Sequence, residues 1–201
     1  QKMLSYEIGL MEERISRKSH PDRLFFSYAN TVATIDFAKK FKGHGWVGIK
    51  FQLDAHQKEL DEIILHVRFK QNEVRLQQET LGVLGVNLIY GAFYKYNNPK
   101  KLLKYLLDHI EKDILEIDMI NFSGPNFKEV DNRLMSLQLI KNNMTDAVMF
   151  GPDGNNLLPA ALLYKKNILA LRGSFRPVTK VNMDMFEKSY DIFIKESTVD
   201  P

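Results

Sequence analysis

Three glycine-bearing stretches hold the residue types best suited to gripping a ligand: Ser123-Gly124-Pro125-Asn126, Gly151-Pro152-Asp153-Gly154-Asn155-Asn156 and Arg172-Gly173-Ser174-Phe175-Arg176-Pro177. Glycine lets backbone N–H groups approach an anion closely. A helix N-terminus behind such a loop favours negative charge, and a guanidinium clamps phosphate or carboxylate through two parallel hydrogen bonds. Arg172 and Arg176 are the natural clamps, with Arg133 a third, since Asp131, Asn132 and Arg133 follow the first loop. The expected chemistry is capture of an anionic small molecule by Ser123, Gly124, Asn126, Asp131, Asn132, Arg133, Gly151, Asp153, Gly154, Asn155, Arg172, Gly173, Ser174 and Arg176. Each loop read singly is also ordinary turn chemistry, because Gly, Pro, Asn and Asp are the residues turns use.

His44 lies between Gly43 and Gly45 and before Trp46, an elbow that offers an imidazole for acid–base work or a phosphate contact. The five histidines, His20, His44, His56, His66 and His109, show no ligand spacing, so no metal is expected and no cofactor is indicated. His66, Arg68 and Lys70 fall on one face at period two, with Lys50 on a neighbouring polar face. That basic strip reads as solvated or as a seat for an acidic partner. Walker-type phosphate loops, Gly-x-Gly-x-x-Gly fingerprints and Gly-x-Ser-x-Gly elbows are all absent.

The elements that must position these residues follow from periodicity. Leu24, Phe25, Tyr28, Val32, Ile35 and Ala38 recur at helical spacing, which predicts a helix from Pro21 to Lys42. Val47, Ile49, Phe51, Leu53 and then Ile63, Leu65, Val67, Phe69 alternate with their neighbours. Asp54 to Leu60 between them is too short for a parallel crossover, so an antiparallel hairpin is expected. Leu76, Leu81, Leu84, Leu88 and Ala92 predict a helix over Arg75–Tyr96, where Gly82, Gly85 and Gly91 each cost up to about 1 kcal/mol unless something packs closely against them. Asn98 and Pro99 open a second helix. From Ile114 onward strand and helix signals alternate: strands at Ile114–Phe122, Asp146–Phe150 and Ile168–Leu171, helices at Phe127–Lys141, Leu157–Lys165 and Met183–Lys195. The predicted fold is α/β, with N-terminal helices and a β-hairpin (1–112) packed as one unit on a C-terminal Rossmann-like β-α-β-α-β-α portion (113–201). The three loops would then line the crevice beyond the carboxyl ends of parallel strands.

Composition bounds the partners. With 28 Lys+Arg against 25 Asp+Glu, interleaved, a nucleic-acid polymer is not expected. The most apolar stretch, Leu81 to Tyr94, is interrupted by glycines and Asn87, so no membrane span is expected. No cysteine is present, which points to a reducing, cytoplasmic setting. Gln1 at the start and the polar tail suggest a piece of a longer protein, with a further domain or a homo-oligomer as possible company.

Gly43-His44-Gly45-Trp46-Val47-Gly48, Leu81-Gly82-Val83-Leu84-Gly85-Val86-Asn87-Leu88-Ile89-Tyr90, Phe122-Ser123-Gly124-Pro125 with Val130-Asp131-Asn132-Arg133, Leu163-Tyr164-Lys165-Lys166 and the Arg172–Pro177 stretch together resemble a family of longer bacterial proteins labelled nicotinate-nucleotide or nicotinamide-mononucleotide adenylyltransferases. The resemblance covers nearly the whole chain. It implies a nucleotide-like ligand and a nucleotidyltransferase-like activity, and it carries over no catalytic residues. The His-x-Gly-His signature of that chemistry is absent, since Gly43-His44-Gly45 holds one histidine and precedes a strand. The leading expectation is therefore a domain that binds a phosphorylated or nucleotide-like small molecule. The alternative is a non-catalytic interaction domain.

Overall fold

The computed structural model describes residues 1–15, 19–33 and 43–196. By contacts the chain divides into two units, Gln1–Leu158 and Pro159–Pro201.

The first unit is built on a four-stranded antiparallel sheet in the order β1-β2-β3-β4, made of β1 (Phe26–Ala33), β2 (His44–Phe51), β3 (Asp61–Phe69) and β4 (Leu115–Ser123). The β2–β3 hairpin has the expected alternation, with Ile49 opposite Ile63 and Val47 opposite Leu65. Alternate residues on these strands send Val47, Ile49, Phe51, Ile63, Leu65, Val67 and Phe69 into one core, each at most 1% exposed. Two helices, α2 (Val74–Tyr94) and α3 (Pro99–Leu106), supply the other side of that core through Leu84, Leu88, Leu102 and Leu106. Asn98 caps α3 by accepting from the Lys101 N–H at 3.1 Å, and Pro99 fills the first turn, where no N–H is needed. Within α2 a Cβ on Gly85 would collide with the Tyr28 phenol of β1. Glycine there brings helix and sheet into close contact, which offsets its propensity cost.

Three expectations are corrected. Phe26–Ala33 is a strand, not part of a helix, because its eight residues pair along β2 from Phe26–Phe51 to Ala33–His44. That ladder outweighs the three-to-four spacing of Leu24, Phe25, Tyr28 and Val32; the remainder of the predicted helix, 34–42, lies outside the described residues. The expected parallel, Rossmann-like arrangement is replaced by antiparallel pairing. β4 joins β3 antiparallel, so residues on both sides of the 112/113 boundary share one sheet. Met149–Phe150 (β5) pairs only with Asn156–Leu157 (β6), antiparallel, in a separate two-stranded ribbon. Ile168–Leu171 forms no strand.

The sheet's second face is partly covered by α1 (Lys2–Arg14), whose Leu4 and Ile8 are buried. The Ser27 hydroxyl donates to the Leu4 carbonyl at 2.9 Å, and the Lys50 ammonium donates to the Ser5 hydroxyl at 3.0 Å. The outer edge of β4 is closed by α4 (Asn132–Lys141) and the chain that follows it. The Asn132 side-chain amide accepts from the Phe122 N–H and donates to its carbonyl, at 2.8 and 2.9 Å, as a neighbouring strand would, and the Met144 carbonyl accepts from the Ile117 N–H at 3.0 Å. A covered edge offers no template for another strand.

The second unit holds α5 (Pro159–Leu163) and α6 (Lys180–Glu196). On α6 the Phe186 and Tyr190 rings stack at 6.0 Å, and Val181, Met183, Ile192 and Ile194 are exposed. No helix among the described residues is long and apolar enough to cross a membrane.

Candidate functional site

The first predicted anion loop already holds an anion, and it is internal. The fully buried Asp61 carboxylate, at the start of β3, accepts from the Asn126 N–H at 2.9 Å and the Asn126 amide at 2.7 Å. Gln57 adds a third donor at 3.0 Å. Gly124 adopts φ 114°, and a Cβ there would stand 2.6 Å from the Asp61 backbone; only glycine fits this closure. The second loop is a tight turn. The Gly151 N–H donates to the Asn155 carbonyl and the Gly154 N–H to the Gly151 carbonyl, while Asp153 accepts from the Asn155 N–H at 3.0 Å and its amide at 2.6 Å. Those Asn155 bonds hold the Asp153 carboxyl below its usual range.

Asp131 caps α4, accepting from the Arg133 and Leu134 N–H groups, and its carboxylate also takes the Arg133 guanidinium at 3.2 and 3.0 Å. Hydrogen bonding by the Arg133 side chain, then by its backbone, holds the Asp131 carboxyl below its usual range. Gly154 lies against that guanidinium. The structure thus brings together Asp131, Asn132, Arg133 and Gly154, but the Asp131 and Arg133 side chains are turned on each other and the Asn132 amide on the Phe122 backbone. Arg172, Gly173, Ser174 and Arg176 belong to the second unit, where all four are exposed and neither arginine makes an ion pair among the described residues. His44 is opposite Arg68, whereas Ser123 is opposite Glu62. The six residue steps along β3 from Glu62 to Arg68 put His44 about 20 Å from the first loop.

A cleft of about 770 Å³ lies instead on the sheet's outer face, beside the start of α1. Two cross-strand rows run beneath it: Ala29, Gly48, Ile64 and Asn121, which all line it, then Thr31, Trp46, His66 and Met119, of which all but His66 do. His66 is the buried member of its row, 1% exposed beneath the indole of Trp46, whose ring centroid is 4.8 Å away. Trp46 itself is 37% exposed and lines the cleft. At one wall stands Asn156, whose amide nitrogen donates to the Ile120 and Asn132 carbonyls at 3.0 and 3.1 Å. Those two acceptors fix which way the amide points. Its buried Oδ1 has no hydrogen-bond partner.

Next to the cleft, the register of β3 against β4 slips between His66 and Val67, and Asp118 is the extra residue. The bulge turns the Asp118 carboxylate, 6% exposed, onto His66 Nδ1 at 2.6 Å. His66 Nε2 in turn lies 3.1 Å from His44 Nδ1. Burial pushes the His44 imidazole below its usual value, assisted by the neighbouring His66 and Arg68 and opposed by Asp118.

Trp46, His66, Asp118 and Asn156 were not among the expected site residues. Their signal was faint: in the sequence His66 stands out only as part of a basic strip, and Asp118 is one carboxylate among many. The strip is in fact partnered by its own chain, His66 by Asp118 and Arg68 by Glu116 at 3.9 Å. No family model, no curated protein and no solved structure matches this chain.

Proposed function

We propose that the first unit is a small-molecule-binding domain whose ligand is flat, heteroaromatic and nucleobase-like, seated in the cleft against Trp46. The observation that carries this reading is the buried, unpartnered Asn156 Oδ1 in the wall of a largely apolar cleft. An unsatisfied buried acceptor costs about 1–3 kcal/mol, so a ligand N–H that reaches Oδ1 as the Asn156 side chain opens toward the cleft recovers that cost on binding. The cleft volume suits a nucleoside-sized molecule, and apolar walls with a few convergent polar groups are the usual make-up of such sites. Trp46 supplies a stacking surface, Asn121 a further polar contact and Lys2 a cation for a phosphorylated ligand.

Trp46 is the single tryptophan, so its fluorescence reports on the cleft without interference. Titration with adenosine, nicotinamide and their 5′-mononucleotides should give saturable quenching together with thermal stabilisation, about 2.7 kcal/mol at one hundred times Kd. Asn156→Leu should remove the response to whichever ligand binds. Unchanged fluorescence and melting with all four compounds at millimolar concentration would exclude this class of ligand.

A further inference from the structure

We infer that Asp118, His66 and His44 form a proton relay that makes His44 Nε2 a general base on the exposed sheet face, two residues from Trp46 along β2, acting on a hydroxyl or a water. The relay follows from which nitrogens are able to carry hydrogen. A carboxylate only accepts, so at 2.6 Å from Asp118 the His66 Nδ1 bears the proton. In neutral His66 the Nε2 lone pair then accepts, and the group 3.1 Å away, His44 Nδ1, must donate. That leaves the lone pair of His44 on Nε2, at the exposed end of the chain of bonds. This is the less common imidazole arrangement, and it is selected from below by a carboxylate two residues' worth of hydrogen bonds away.

When His44 Nε2 takes the proton of an O–H group, the oxygen keeps the bonding electron pair, and the Nδ1 proton of His44 passes to His66 Nε2. His44 ends neutral with its hydrogen on Nε2, and His66 ends as an imidazolium on the Asp118 carboxylate. One proton has entered the pair and one O–H bond has broken. The reverse sequence returns the proton to a leaving group. Positive charge is thereby held beside buried Asp118 rather than on His44, which faces Arg68 across the β2–β3 pair. The other charged group there, Glu116, is drawn toward Arg68. From β1 the residue opposite His44 is Ala33, which does not titrate.

The substrate's seat rests on the cleft reading, but the relay does not, and the experiment separates them by using the ligand-free chain. Long-range proton–nitrogen correlation spectra of the histidine side chains, recorded across pH, should show His44 with hydrogen on Nδ1 above neutrality. As the pair takes up its proton, His44 should switch to hydrogen on Nε2 while His66 becomes the cation. Asp118→Asn should abolish the switch. With p-nitrophenyl acetate as the probe at a pH above the ordinary imidazole value, His44→Gln should lower hydrolysis by roughly 10²-fold while the melting temperature at that pH stays that of the parent. A His44 that carries hydrogen on Nε2 at every pH, or a His44→Gln rate equal to that of the parent, would overturn the relay. Should Asp118→Asn fail to fold, the parent spectra and His44→Gln decide the matter between them.

Discussion

The two faces of one sheet differ in kind although they alternate residue by residue along the same strands. On the inner face Val47, Ile49, Leu65 and Val67 are closed over by α2 and α3 and share a single apolar core. On the outer face Trp46, Ile64, His66 and Met119 are covered in part by α1, leaving an open cleft and a buried ionisable pair. The inner face can be read as transfer of apolar area from water. Along the outer face, stability depends on each polar group finding a partner, and Asn156 Oδ1 is a buried acceptor that has none.

Truncating neighbours on β3 should make this contrast measurable. Leu65→Ala removes a fully buried side chain from the closed face, and chemical denaturation should show a loss of about 4 kcal/mol. Ile64→Ala, one residue away, opens onto the cleft and should cost about 2 kcal/mol. Equal losses would mean that the outer face is as tightly closed as the inner one. Between those two in size is Asp61→Ala, which leaves the Asn126 N–H without its acceptor and frees the first loop. A loss of about 3 kcal/mol is expected, with faster amide exchange at Asn126 than in the parent. Asn132→Ala should cost about 1 kcal/mol and expose the Phe122 backbone at the sheet edge, detectable as concentration-dependent association.

The smallest effect is that of pH on the outer face. His44 resists protonation in the folded state, so below the ordinary imidazole value the unfolded chain binds the proton more readily. Stability should therefore fall as pH is lowered from that value toward the depressed folded one, and His44→Gln should flatten the slope. Asp131 acts in the carboxylate range: its stabilising contribution is present above the unfolded value and is lost as pH falls through the lower folded value, and Asp131→Asn should remove this dependence. A melting-temperature series against pH for the parent and both variants separates the two windows.

Local signals were sufficient wherever the deciding contacts are near in sequence. The β2–β3 alternation, the α2 stripe and the Asn98–Pro99 start of α3 all come from neighbours within a turn or a hairpin, and all are present. Other features depended on distant partners. Phe26–Ala33 becomes a strand only because β2 offers its edge, and β4 runs antiparallel only because β3 lies beside it. Gly124 and Asn126 of the Ser123 loop are expected from the sequence to face an anionic small molecule, and in the structure the Asn126 N–H is taken by a carboxylate of the chain itself. What the sequence does not disclose is that the anion is Asp61, 65 residues earlier than Asn126. His66 and Asp118 are likewise 52 residues apart, and only the extra residue in β4 turns one toward the other. Periodicity records which face a residue prefers, an energy set by its own side chain and its near neighbours. Which polar group meets it on that face is set by strand register, whose energy is shared across the whole sheet.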